Sequence, residues 1–175
     1  VLKKHRKGDD AVYREIIIKV LTNVPVFREL SNESIGKLAQ LAKLCQHAPG
    51  ATVFREGDPG DCLFIIASGK IDILSVRPGG EELKLNTLGP GEVFGEMALL
   101  DGLPRSAAAR VGEAKALLFY INRTDFNLFL LKNPEVSLKL VETMSRRLRN
   151  TNMKIKELTD VNENLKALLH SSPAP

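Results

Sequence analysis

The chain has 175 residues, 43% of them hydrophobic and 26% charged, with a formal net charge of +4 at pH 7. That balance is the one of a soluble globular protein, long enough for one domain with a core of its own and an appendage. It argues against a membrane protein, because no apolar run nears the roughly 20 residues that span a bilayer, and Cys45 and Cys62 have neither CxxC nor metal-ligand spacing.

Free thiols and a cytoplasmic location are therefore expected, with no signal peptide in view and no membrane partner. The chain opens on Val1 rather than Met, which leaves open that it is a fragment. Lys3, Lys4, Arg6 and Lys7 make residues 1–10 a basic, polar start, expected to be flexible. Such charge runs are more often solvated ends than nucleic-acid arms.

Residues 11–44 read as N-terminal helices. Val12, Ile16 and Val20 fit a short helix from Ala11 to Leu21, although Ile16, Ile17 and Ile18 are β-branched. Val24-Pro25-Val26-Phe27 is a break, Ser31 is a candidate N-cap, and Ile35, Leu38 and Ala42 carry helical spacing toward Leu44.

From 45 to 122 the pattern is short apolar runs with turn chemistry every few residues. Strands are expected at Thr52 to Phe54, Cys62 to Ala67, Ile71 to Val76 and Glu82 to Leu88. Two more follow at Ser106 to Val111 and Ala114 to Ile121. Pro78-Gly79-Gly80 closes a hairpin between the third and fourth of these. Many short strands with glycine turns imply a sandwich or barrel-like roll.

Within the roll, residues 94–108 carry the chemistry. Gly95 removes a side chain just before Glu96, so backbone can come close to a partner. Met97 to Leu100 can form one helical turn whose first N–H groups attract an anion. Arg105 offers a planar fork of donors suited to phosphate. A carboxylate for hydroxyls and positive groups for an anion, on one short loop, point to a sugar phosphate.

After the roll the period returns to helical. Asn122 is placed to cap a short helix over 123–132, and Asn133-Pro134 reads as the N-cap and first position of a long helix over 133–170. Val141, Leu148, Ile155, Asn162 and Leu169 recur at seven-residue spacing, with Met144, Thr151, Leu158 and Leu165 three residues on. This is an a/d heptad, and a single asparagine at an a position fixes register in a parallel two-stranded coil. A homodimer through residues 141–169 is expected; the bland alternative is a helix packed on its own domain. Residues 171–175 read as a tail.

With these residues in place the chain resembles the cyclic nucleotide-binding domain family, shared by catabolite activator-like regulators, kinase regulatory subunits and gated ion channels. The similarity covers about residues 24–152. Gly95-Glu96 followed nine positions later by Arg105, with Pro104 before it, looks like the phosphate-binding cassette of the kinase subunits. Met144-Ser145-Arg146-Arg147-Leu148, after Asn133-Pro134, is similar to the dimerisation helix of the catabolite activators. The resemblance implies a mainly β fold with flanking α: a jelly-roll-like β-roll with N-terminal helices and a long C-terminal dimerisation helix.

It implies also that Glu96 accepts a hydrogen bond from the ribose 2′-hydroxyl and that Arg105 pairs with the cyclic phosphate. Ser106 would add a hydroxyl, and backbone N–H groups near Met97 and Ala98, beside Gly95, would complete the anion site. On the helix, Thr151 and Asn152 fall where the bacterial activators have a threonine–serine pair that reaches adenine, the second residue coming from the other subunit. Arg147 falls where those proteins have an arginine near the glutamate. Asn152 departs from the family's serine, which leaves the purine open. Cyclic AMP is the expected ligand and cGMP the alternative, since Ser106 stands where cGMP-preferring members often carry threonine.

Each assignment has a plainer reading. Glu96 and Arg105 could be an ion pair across a turn, which contributes little at a surface. Ser106 could be a strand serine, Thr151 a tolerated polar seam residue and Arg147 a solvated flank. His5, His47 and His170 have no metal or triad spacing, and neither Gly89-x-Gly91 nor Gly69-Lys70 continues into another nucleotide motif.

Three functions follow in turn. The first is a sensor module that signals through the coil to an output domain. The second is the sensor part of a DNA-binding regulator. A helix-turn-helix needs a further helical pair and none follows Asn152, so nucleic acid is not expected for this chain alone. The third, an enzyme, has no nucleophile–base pair to support it.

Overall fold

Two helices open the chain, α1 (Asp10–Asn23) and α2 (Asn32–Leu41). α1 outruns the expected bounds and forms despite three consecutive isoleucines. Ile17 and Leu21 are buried on one face, and tertiary packing of an apolar stripe outweighs the small propensity cost. Ser31 caps α2 as predicted, its side chain accepting the Ser34 N–H across 3.1 Å. The computed structural model describes residues 10–171, with side chains from 13 to 166. Apart from Asp10 and Ser171, the basic start and the tail expected at the two ends lie outside the described residues.

The roll is two four-stranded sheets. One runs β1 (Lys43–His47), β8 (Ala116–Asn122), β3 (Cys62–Ser68), β6 (Val93–Phe94); the other runs β2 (Thr52–Phe54), β7 (Ala108–Val111), β4 (Ile71–Val76), β5 (Glu82–Leu88). All these pairings are antiparallel. Phe64, Ile66, Phe94 and Leu118 of the first sheet share a buried cluster with Ile71, Leu88, Ala109 and Val111 of the second. A sheet buries one face against a partner layer, and these inward residues are that core.

Three sequence expectations need correction. The roll begins at Lys43 rather than 45, because the helical spacing toward Leu44 stops at Ala42, where the backbone turns extended at ψ 129°. β1 exists because it pairs with a strand 69 to 77 positions downstream, Lys43 opposite Tyr120 and His47 opposite Ala116. The two-residue β6 has no readable period at all and is defined by pairing with β3. The strand expected from Ser106 starts only at Ala108.

Beyond the roll, α4 (Arg123–Lys132) is capped as expected by Asn122, whose side chain accepts the Asp125 N–H at 2.8 Å. α5 spans Pro134–Ser171. Asn133 precedes it, as read, but spends its side chain elsewhere. Its Oδ1 accepts from the Ser34 hydroxyl at 2.7 Å and its Nδ2 donates to the Phe129 carbonyl at 2.8 Å. A 7% exposed amide needs such partners, and they stitch the end of α4 to α2.

The described residues divide into two compact units, one up to Val136 and one from Ser137 on. The second unit is the run of α5 from Ser137 on. Along it Val141, Leu148, Ile155, Leu158 and Leu165 of the heptad are between 54% and 69% exposed. No helix among the described residues is long and apolar enough to cross a membrane.

Candidate functional site

The centre of the first unit's chemistry is Arg105, 4% exposed. Its main chain is clamped to the loop between β2 and β3. Arg105 N–H donates to the Asp58 carbonyl and Gly57 N–H to the Arg105 carbonyl, both at 2.8 Å. The loop itself is closed by the Asp58 carboxylate, which accepts the Arg55 N–H at 2.7 Å. This local tie is why the strand cannot begin at Ser106: the neighbouring main chain is committed to another loop.

Buried cations are costly unless their donors are met. Arg105 Nη1 donates to the Gly95 carbonyl at 2.6 Å and Nη2 to the Cys62 carbonyl at 2.7 Å. The guanidinium carbon lies 4.2 Å from the centre of the Phe54 ring and 5.9 Å from that of Phe64, a cation–π contact that offsets part of the lost hydration. Nε is buried with no hydrogen-bond partner. Buried orphan donors are few in folded proteins and each costs about 1–3 kcal/mol. A planar fork with an unmet N–H is a donor set that fits a phosphate oxygen.

Gly95 makes this arrangement possible. Its φ of +75° is left-handed, and a Cβ there would stand 2.5 Å from Arg105 Nη1. It is also the N-cap of α3 (Glu96–Asp101), with no side-chain hydrogen bond of its own to the first-turn N–H groups. The predicted single turn at Met97 to Leu100 is thus extended by a residue at each end. Glu96 is buried at 6% exposure, Ala98 is buried, and Met97 is 54% exposed. A carboxylate in a first turn is favoured by the helix dipole.

The structure therefore joins Gly95 and Arg105 directly and sets Glu96, Met97 and Ala98 on the adjoining helix; Ser106 follows Arg105 and is exposed. The other three predicted residues, Arg147, Thr151 and Asn152, are exposed on α5 in the second unit. Thr151 Oγ1 donates to the Arg147 carbonyl at 3.0 Å, so within the helix its proton is committed and its lone pairs are what it offers.

Several members of the site carry no mark in the sequence. Phe54, Gly60, Cys62 and Arg123 were legible only as strand, turn, thiol and helix start. Arg123 Nη2 donates to the carbonyls of Gly60 and Ala98, the latter at 2.8 Å, and Arg123 N–H donates to the Asp61 carbonyl at 2.8 Å. Gly60 packs so closely on α3 that a Cβ there would fall 2.2 Å from that of Ala98. The dense turn chemistry of Gly57-Asp58-Pro59-Gly60-Asp61 was the available signal.

A groove of about 730 Å3 lies on the Arg123 side of this assembly, lined among others by Pro59, Asp61, Leu103, Pro104 and Asp125. None of the predicted site residues lines it. Arg105 is instead folded inward onto the Gly95 and Cys62 carbonyls and the Phe54 ring. The Cys62 thiol is pushed up to about 11, chiefly by burial and further by the Asp61 carboxylate, which makes it a poor nucleophile near neutrality. Among the described residues no group of three His, Cys, Asp or Glu could hold a metal ion.

Comparison with known proteins bears on this geometry. A family model described as the cyclic nucleotide-binding domain matches residues 44–133. A Mycobacterium tuberculosis protein described as a CRP-like cAMP-activated global transcriptional regulator is 35% identical over 146 residues, 82% of this chain and 64% of its own length. The structure of the Thermus thermophilus catabolite activator protein superposes with a TM-score of 0.71 at 34% identity, over 77% of this chain and 63% of that one. The regulatory domain of Toxoplasma gondii PKA, crystallised with cAMP, gives 0.63 at 27% identity, over 72% of this chain and 46% of that one. The chain thus spans less than two thirds of the length of each of these three proteins.

Proposed function

The chain belongs to the cyclic nucleotide-binding domain family, and on that premise we propose that it senses cAMP, in preference to cGMP, at the site built on Glu96 and Arg105. Arg105 takes the cyclic phosphate with the help of Ser106 and the N–H groups near Met97 and Ala98, while Glu96 takes the ribose 2′-hydroxyl. The observation that supports this reading is the buried Arg105 guanidinium, seated beside the N-cap of α3 with its Nε unmet. A carboxylate also favours a ligand that carries the hydroxyl, because a charge-assisted hydrogen bond is about twice as strong as a neutral one. Thr151 and Asn152 remain the proposed base contacts, and Arg147 a flanking one, on the strength of sequence resemblance.

The signal passes through a parallel homodimer of α5 over residues 141–169 to an output segment. The exposed seam of Val141, Leu148, Ile155, Leu158 and Leu165 supports that coil. Ligand drives the change only by binding two arrangements of the helix with different affinity.

Thermal-shift and calorimetric titration with cAMP, cGMP and cyclic dinucleotides side by side tests the ligand. Arg105→Ala is expected to lower cAMP affinity at least tenfold, corresponding to about 1.4 kcal/mol; unchanged binding would sink the site. A second reading, the sensor part of a DNA-binding regulator in the cytoplasm, is favoured by the 35% identity to the mycobacterial transcriptional regulator. On either reading this chain alone is expected not to retard duplex DNA in a gel.

A further inference from the structure

Two arginines bracket α3, and both reach the same short segment on its far side. At the N-terminal end Arg105 bridges the Gly95 carbonyl to the Cys62 carbonyl. At the other end Arg123 bridges the Ala98 carbonyl to the Gly60 carbonyl. Both guanidinium groups carry a buried Nε without a partner, so both are held by carbonyl clamps rather than by carboxylates. The segment from Gly57 to Cys62 is the shared anchor. It fixes Arg105 through three bonds, at Gly57, Asp58 and Cys62, and it fixes α3 through the Gly60–Ala98 contact.

From this geometry we infer that Arg123 is a positioning residue for the Glu96–Arg105 site. Its contact with the proposed site is to the Ala98 carbonyl, not to the N–H groups offered to the phosphate. Its side chain ties the anchor to α3, and its N–H ties the anchor to the start of α4 through Asp61. Remove it, and Gly60 and Ala98 lose their common donor while Ala98 keeps only the Gly102 N–H at 3.2 Å. Both arms of the site, the α3 turn with Glu96 and the segment that orients Arg105, then lose one of their two guanidinium bridges and keep that of Arg105 to Gly95 and Cys62. The chemistry favours arginine here, because one planar group must serve two carbonyls from different elements, while a lysine ammonium can serve both only by giving up a fixed direction.

The inference rests on the reading that this site takes a cyclic nucleotide, and the experiment separates the two. Arg123→Gln and Arg123→Lys are compared with the wild-type chain by calorimetric titration with cAMP and by amide hydrogen exchange read peptide by peptide. The expected result is at least a fivefold loss of cAMP affinity in Arg123→Gln. Exchange should quicken over residues 95–105 and 57–62 while protection in β3 beyond Cys62 and in β8 stays as in the wild type. Arg123→Lys should recover part of both effects. Equal affinity of Arg123→Gln and wild type overturns the proposal. So does a loss of protection spread evenly over the roll, which marks a general structural role. A wild-type chain that binds no cyclic nucleotide overturns the reading beneath it, and is told apart by the wild-type titration alone.

Discussion

The guanidinium of Arg105 lies over the ring of Phe54, 4.2 Å from its centre. Phe54 is not isolated: its ring centre is 5.8 Å from those of Phe64 and Phe94, and these two stack at 5.1 Å. The cation is thus placed against an aromatic floor shared by both sheets. Attraction to an anion is stronger there than in water, because little solvent is left to screen it. The floor and the carbonyl clamps together hold the fork in one plane.

Phe54→Leu keeps an apolar floor and removes the ring face. A cation–π contact of this kind contributes roughly 0.5–2 kcal/mol. The variant is expected to stay folded and to bind cAMP about threefold to tenfold more weakly, a change of roughly 0.6–1.4 kcal/mol. Calorimetry checks it. Wild-type affinity in the variant would show that the ring is only packing.

Gly95→Ala tests the close approach at the cap. The left-handed φ costs a residue with a side chain about 1–2 kcal/mol, and the new methyl would also displace Arg105 Nη1. Gly80 has a similar φ of +87°, but a Cβ there would meet nothing within 4 Å. Gly80→Ala should therefore lose only stability in a denaturant titration, while Gly95→Ala loses stability and cAMP binding together.

Ile155→Asp places a charge at an a position of the seam, where the apolar side chain is 56% exposed in the single chain. Light scattering should report a monomer, with the circular dichroism of the roll retained. A dimer mass for this variant would remove the coil from the proposal.

The two thiols set a limit at high pH. Burial pushes Cys45 and Cys62 up to about 11, above the usual thiol value near 8.5 in an unfolded chain. A group whose folded value is raised contributes its full share below the unfolded value. That share is lost as pH rises through the folded one, because the unfolded state sheds its proton first. Stability from urea titrations should fall between about pH 9 and 11. Replacing both cysteines with alanine should flatten that slope, and an unchanged slope would assign it to other groups.

What the sequence determined by itself is local. The caps at Ser31 and Asn122, the hairpin at Pro78-Gly79-Gly80, the heptad of α5 and the Gly95-Glu96 to Arg105 spacing were all readable. Each depends on residues a few positions apart, where period and turn chemistry are set by side-chain type. Tertiary structure alone decided that β1 pairs with β8, that Asn133 bonds Ser34 across 99 positions of chain, and that Arg105 and Arg123 close on Cys62 and Gly60, 43 and 63 positions away. The physical reason is the acceptor. Every residue carries a carbonyl, so nothing in the sequence marks the four that the two arginines select; only the closed roll brings them within reach.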